Sequence, residues 1–363
     1  MSTVAASVAR LAEAIPLHKA AAWDTVGLQV GERDATADRI AVCHEVTPAV
    51  IGAAADHDVD LLVAYHPLLF RPVRTFVSGG SASGRAFKLA AAGIALYVVH
   101  TAFDVATGGC ADALAAALGL EDTTGFGANW PGDSSKVVTF APAPAAPAIT
   151  AAMARAGAGE IGKYTECSFA VEGVGSYRPG AGASPLVGAV GEISREREVR
   201  IEMNVASGAL EGVVAALVAS HPYDEPAYDV YAVRANAGFV GRVGNLATAR
   251  PLAVLGDTAR TVLQADVRVA GHPARPVRRV AVVPGAGSEF VSAAAAVGAE
   301  ALVTGDVSHH RAQEAGELGL AVIDAGHAAT ERPGVAKLYS FVSKMFTNTL
   351  DLTHIDPSPW ETA

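Results

Sequence analysis

Short, mostly apolar runs recur along this chain: Arg39–Cys43, Leu61–Tyr65, Ala95–His100, Val280–Val283, Ala301–Thr304 and Leu320–Ala325. Each is too short to be a helix of ordinary length and lacks the polar alternation of a strand with one wet face. Such runs read as strands buried on both sides. Ala-rich stretches separate them. Val4–Ile15 carries apolar residues at helical spacing, and Pro48–Asp56, Gly84–Ala92, Ala111–Leu118, His310–Leu318 and Thr330–Met345 read as helices. Strands alternating with helices predict an α/β layered sheet, in which ligands sit beyond the carboxyl ends of the strands.

The texture changes in the middle. From about Asp133 the chain offers a strand, a Pro-rich turn and helix (VVTFAPAPAAPAITAAMARAGAG), two strand-like segments, an Ala/Val helix at Ala209–Ala219, and the strand AYDVYAV. That β-α-β-β-α-β order predicts a ferredoxin-like α+β module with its own core. With 363 residues there is room for two to three domains of about 150 residues each. The expected division is residues 1–133 and 238–363 as the two lobes of one discontinuous α/β domain, with residues 134–237 inserted between them.

Composition removes several function classes. Hydrophobic residues make up 51% and charged residues 18%, which excludes an intrinsically disordered chain. Basic residues number 27 against 37 acidic, a net charge of −10, so nucleic acid is not an expected partner. Cys43, Cys110 and Cys167 form no CxxC pair and give neither a disulfide framework nor a thiolate zinc site. The first residues read as an amphipathic helix rather than a signal peptide. No apolar stretch approaches the roughly 20 residues of a membrane span. A soluble, cytoplasmic protein without a membrane partner is expected.

Metal-binding side chains cluster where strands give way to loops. Tyr65-His66-Pro67 follows LLVA, and His100 and Asp104 follow the third run. Asp306, His309 and His310 stand in TGDVSHH, and Asp324, His327 and Glu331 in DAGHAATE. His327 and Glu331 are four residues apart at a helix start, so both project from one face. Imidazole with carboxylate suits zinc, iron or manganese, and one Glu can span two ions. Plainer readings exist for each piece. Asp306 and His309 would serve as caps of the following helix, and the loop PGAGS (Pro284–Ser288) as a phosphate cradle or a simple turn.

At these residues the sequence resembles the Nif-three-like family of dinuclear-metal-centre hexameric proteins, also known as GTP cyclohydrolase 1 type 2 homologues. The motifs that carry the resemblance are AWDTVGLQVG (Ala22–Gly31), YHPLLF (Tyr65–Phe70), HTAFD (His100–Asp104), TGDVSHH (Thr304–His310), DAGHAATE (Asp324–Glu331) and the closing DPSPW (Asp356–Trp360). HPYDEPAYDVY (His221–Tyr231) matches the long members, which carry a PII-like module.

The resemblance implies two divalent metal ions per subunit (zinc, iron or manganese) in a cleft of the main domain, and a toroidal homohexamer. It puts His66, Asp104, His327 and Glu331 on ligand positions, with Glu331 as the bridge. Tyr65 stands where many members have a second His. A phenol, with a pKa near 10, is the weaker ligand, so weak occupancy of one metal position is expected. Glu45 stands where Asp is usual, without an assigned role. His100, Asp306, His309 and His310 are expected behind the ligands or facing substrate, with His100 or His310 as general acid or base. The implied activity is metal-dependent hydrolysis of a purine nucleotide, with ring opening of GTP. The alternative is a non-catalytic hexamer that binds or delivers metal or acts as an adaptor.

Overall fold

The protein, seen in a computed structural model, is described over residues 2–129, 134–161, 164–233 and 238–355. The DPSPW motif lies outside the described residues. The chain divides into two compact units, residues 1–130 with 236–363, and residues 131–235.

The larger unit contains two sheets. One has the strand order Gly27–Val30, Ala95–Val98, Leu61–Ala64, Ile40–Cys43, Thr349–Asp351. Its strands pair in parallel except for the antiparallel edge Gly27–Val30. The other runs Arg268–Ala270, Ala321–Asp324, Ala301–Thr304, Pro276–Val282, Gly238–Pro251, Glu121–Asn129, with a parallel centre and antiparallel flanks.

Strand periodicity explains the unbroken apolar runs. In the first sheet Val42, Leu61, Val63 and Tyr97 join a core on one face, while Ala41, Cys43, Leu62, Leu96 and Val98 join another core on the opposite face. The second sheet divides likewise, with Val280, Val282, Val303 and Ile323 on one face and Ala281, Leu302 and Val322 on the other. Neither face of these central strands is wet, so no polar alternation is selected. Each buried Val, Leu or Ile contributes about 1.5–3 kcal/mol relative to an exposed one.

Helix starts follow side-chain capping. Thr3, Thr47 and Ser81 accept from the backbone N–H of Ala6, Val50 and Gly84. Ser308, not Asp306 or His309, caps the helix His309–Glu317, which corrects the capping expectation. The last long helix begins at His327 rather than Thr330 and runs to Met345. That earlier start puts both His327 and Glu331 in its first turns.

Two strands carry little sequence signal. Glu121–Asn129 and Gly238–Pro251 pair antiparallel, Phe239 opposite Ala128 and Arg242 opposite Gly125. Their glycines weaken the pattern, but a Cβ at Gly125 would lie 2.4 Å from Cδ2 of Phe239. A Cβ at Gly241 would lie 2.4 Å from Cε1 of Phe126. Rings occupy the space that side chains would need.

The smaller unit has one four-stranded antiparallel sheet in the order Ser168–Tyr177, Ser194–Ala206, Ser134–Pro142, Tyr228–Val233. The helices Ala146–Arg155 and Leu210–Ser220 supply Ile149, Met153, Val213 and Leu217 to a core with Val137, Ala141, Ile201, Met203 and Val205. Among the described residues no helix is long and apolar enough to cross a membrane.

Candidate metal centre

The parallel strands of the larger unit deliver their following residues to one place. Ile40–Cys43 is followed by His44, Leu61–Ala64 by Tyr65 and His66, and Ala95–Val98, after Val99, by His100. From the second sheet, Pro276–Val282 leads into PGAGS, Ala301–Thr304 into Asp306, and Ala321–Asp324 into His327.

Glu331 is the centre of this group and only 2% exposed. Its Oε2 lies 2.8 Å from Nε2 of His44 and 3.4 Å from Nε2 of His66, and its Oε1 lies 3.1 Å from Nε2 of His327. The two oxygens of one carboxylate thus face different imidazoles. Burial alone would raise this carboxyl. The charge of His66 and hydrogen bonds from His327, His44 and His66 outweigh it and hold Glu331 well below the usual carboxylate range. Ligand atoms of His44, His66 and Glu331 all lie within 4.8 Å of one another, close enough to hold one metal ion.

His327 is oriented from behind. Its Nδ1 is 2.7 Å from Oδ2 of Asp306, which leaves Nε2 directed at Glu331. The hydrogen bond to Glu331, against some loss from burial, pushes the imidazole up to about 9. His100 is held the same way, with Nδ1 2.8 Å from Oδ1 of Asp24. Oδ2 of that carboxylate accepts from the Thr101 hydroxyl at 2.5 Å and the Thr101 N–H at 3.1 Å. Burial lowers His100, but the Asp24 hydrogen bond and the charges of Asp104, Asp24 and Glu331 raise it overall. Both His100 (φ 26°) and Asp306 (φ 54°) adopt positive φ, a conformation non-glycine residues rarely keep without cause.

Tyr65 is fully enclosed, and its hydroxyl donates to Oδ1 of Asp104 at 2.5 Å. Burial and the charge of Asp104 push the phenol well above its ordinary value. Burial likewise raises Asp104 to about 6, with His100 and the Tyr65 hydrogen bond pulling the other way. The PGAGS loop is a wall of the site, with two of its glycine N–H groups turned to threonine hydroxyls. The N–H groups of Gly285 and Gly287 donate to the hydroxyls of Thr330 and Thr304. Gly285 has φ +63°, and a Cβ there would lie 2.5 Å from Oε1 of Glu331.

The sequence matches the Duf34/NIF3 (NGG1p interacting factor 3) family over residues 2–359. The chain belongs to that family. A Bacillus subtilis NIF3-family relative named "GTP cyclohydrolase 1 type 2 homolog" is 36% identical over 354 residues, 95% of this chain and 94% of that protein. A Mycobacterium tuberculosis relative of the same name is 36% identical over 360 residues, 96% of this chain and 94% of its own length. Among solved structures, a Bacillus cereus protein related to NIF3 superposes with a TM-score of 0.66 at 31% identity, covering 100% of this chain and 99% of that one.

Within this NIF3-family fold the residues expected from sequence do not all meet. His66, His327 and Glu331 converge, with Asp306 behind His327 and His100 on Asp24. Asp104 accepts from the Tyr65 hydroxyl, and neither it nor His327 belongs to the compact group of His44, His66 and Glu331. His309 and His310 are exposed; their rings contact each other and His310 reaches Gln313. No hydrogen bond or ion pair joins either to the cluster among the described residues. Asp324 is structural, accepting from Arg268 and from the N–H of Val307 and Gly326.

Two participants escaped the sequence reading. His44 carries the same signal as the others, a His directly after a buried apolar run. Asp24 stands in the AWDTVGLQVG motif with no strand-end context, so nothing local marked it.

Proposed function

We propose that the larger unit binds divalent metal (zinc, iron or manganese) through His44, His66, His327 and Glu331, with Asp104 able to join. On this reading it hydrolyses a nucleotide-like substrate. One observation carries the reading: a buried carboxylate faced through both oxygens by three imidazoles. Neutral nitrogen donors around one anionic oxygen pair fit a borderline divalent cation, and the two-sided approach to Glu331 fits a bridge between two ions. When bound, such a cation supplies Lewis acidity toward water and toward an electrophilic carbon or phosphorus centre.

The chain's own residues would do the rest. His100, its Nδ1 fixed on Asp24 and its pKa raised by that hydrogen bond and the nearby carboxylates, is placed to act as the general acid. Asp306 fixes His327, and Gly285 leaves room for the Glu331 carboxylate. Trp23, 61% exposed, lies 6.0 Å ring to ring from both His100 and Phe70. These aromatic faces beside the centre support a planar heterocyclic substrate. The names of the Bacillus and Mycobacterium relatives favour a guanine nucleotide as the first to try. We read the smaller unit as a ferredoxin-like, PII-like module, the assembly as a homohexamer, the compartment as cytoplasm, and nucleic acid as no partner.

The hydroxyl of Tyr65, committed to Asp104, favours a second reading. A site short of one imidazole suits a non-catalytic metal-binding, metal-delivery or adaptor protein. The test is elemental analysis of tag-free wild type and Glu331→Ala, followed by a nucleotide screen. Bound metal falling toward zero in the variant, with metal-dependent turnover, is expected. Metal retained by Glu331→Ala overturns the centre. Metal lost to mild chelation without turnover of any nucleotide selects the carrier reading.

A further inference from the structure

The HPYDEPAYDVY segment plays no part in the metal centre, yet it builds a second site. In the smaller unit, alternation puts Val137, Ala141, Ile201 and Met203 toward the helices, so Phe140, Glu198 and Arg200 project from the opposite sheet face. Over Phe140 and Glu198 lies a cavity of about 380 Å³, within the usual range for small ligands. Tyr177, Tyr223 and Leu186 form much of its apolar wall, and Glu198, Asp224 and Glu225 its charged one.

Three residues of the segment hold the site together. His221 bonds the carbonyl of Phe140 through Nε2 at 3.0 Å and accepts the N–H of Tyr223 at Nδ1, 3.1 Å, so the neutral ring clamps the chain over the sheet. Oδ2 of Asp224 accepts the N–H of Ser184 at 2.9 Å, holding the covering loop. The Tyr223 hydroxyl donates to Oε1 of Glu198 at 2.8 Å. Glu198 is only 9% exposed, and a Cβ at Gly175 would lie 1.9 Å from its Oε2, so glycine leaves this carboxylate its space.

We propose that this cavity binds a small organic cation, a protonated amine carrying an apolar body. Three carboxylates line it, and no Lys, Arg or His does among the described residues. The Arg200 guanidinium beside Phe140 is already paired with Glu202 at 2.9 Å. An anion would meet tyrosine hydroxyls that are already donating, Tyr177 to the Val187 carbonyl and Tyr223 to Glu198. A neutral guest would leave the enclosed Glu198 charge uncompensated. An ammonium group satisfies that charge, and the faces of Tyr177 and Tyr223 favour it further.

The test is calorimetric titration of the chelator-treated full chain with phenethylammonium, 2-phenylethanol and phenylacetate. Saturable binding of phenethylammonium at about 1 mM or tighter is expected, with the alcohol at least about tenfold weaker and the acid silent. Glu198→Gln should weaken the ammonium about tenfold and leave the alcohol unchanged. Should Glu198→Gln fail to fold by circular dichroism, Gly175→Val, whose side chain enters the carboxylate's space, should abolish ammonium binding. Absence of saturable ammonium binding overturns the proposal. So does equal affinity for the alcohol, or wild-type affinity in the folded variant tested.

Discussion

Two buried carboxylates sit in the two units, and their surroundings differ. Glu331, 2% exposed, is met by three imidazoles. Glu198, 9% exposed, receives one phenolic hydroxyl and stands among aromatic rings and other acids. A carboxylate with its own cationic or neutral nitrogen partners is stable in the empty protein, and a metal can share those same donors. A carboxylate given one neutral donor keeps an unmet charge, and its site suits a cation that comes and goes. The number and type of donors, more than burial, separate a permanent centre from an exchangeable one.

The sharpest way to break this comparison is to neutralise both groups. In metal-free protein Glu331→Gln strands the surrounding imidazoles and should lower unfolding stability by about 3–5 kcal/mol. Glu198→Gln removes a charge that has one neutral donor and keeps a hydrogen bond, so it should change stability by less than about 1 kcal/mol. Urea unfolding of the chelator-treated proteins measures both. Equal losses would mean that the histidines around Glu331 do not compensate it.

Gly285→Ala comes next. The new methyl meets Oε1 of Glu331 at 2.5 Å in a backbone conformation with φ +63°. We expect a loss of about 1–3 kcal/mol and metal affinity at least about tenfold lower, since a ligand shifted by a fraction of an ångström is a poorer ligand. Unchanged affinity by competition with a chromogenic chelator would show that the PGAGS loop does not shape the site.

Metal removal changes the pH profile. In the metal-free chain His327 is pushed up to about 9 and Asp104 to about 6. Both folded-state values lie above the unfolded ones, so the folded state holds more protons. Their stabilisation is full below the unfolded values and is lost as pH rises through the folded ones. The melting temperature of metal-free protein should therefore fall from pH 5 to 9, steepest for His327 between 6.5 and 9. A bound metal requires neutral imidazole, so it abolishes the fall above the unfolded histidine pKa and makes stability rise with pH below it. A flat profile in chelator-treated protein would place His327 away from Glu331.

Much of this was legible from the chain. Continuous apolar runs marked the buried parallel strands, and the spacing of His327 and Glu331 marked one helix face. What was hidden depended on pairing across distance. In the strand Gly238–Pro251, Gly241 lies under the Phe126 ring, Gly238 against Val105 and Gly244 against Thr123 and Leu120, contacts that no local window reveals. Asp24 lies 76 residues from its partner His100, and Tyr65 donates to a residue 39 positions away. His44 follows an apolar run as His66 does, so the same rule marks it. Positive φ at His100 and Asp306 cannot be read from residue type at all.

The smallest expected effect completes the comparison. Residue 129 is the register partner of residue 238, so the chain leaves the larger unit and returns to it at neighbouring points of one strand pair. A short linker replacing residues 134–234 therefore closes a gap that the sheet already holds together, and loop closure of this kind adds little entropy cost. His44, His66, His327 and Glu331, with Asp306, Asp24 and Gly285 behind them, all belong to the larger unit. Metal per chain should be unchanged within error in the deletion variant, while phenethylammonium binding disappears. Loss of metal from a variant that keeps its melting transition would mean that the centre depends on the smaller unit. The two carboxylates would then have to be treated as parts of one coupled system.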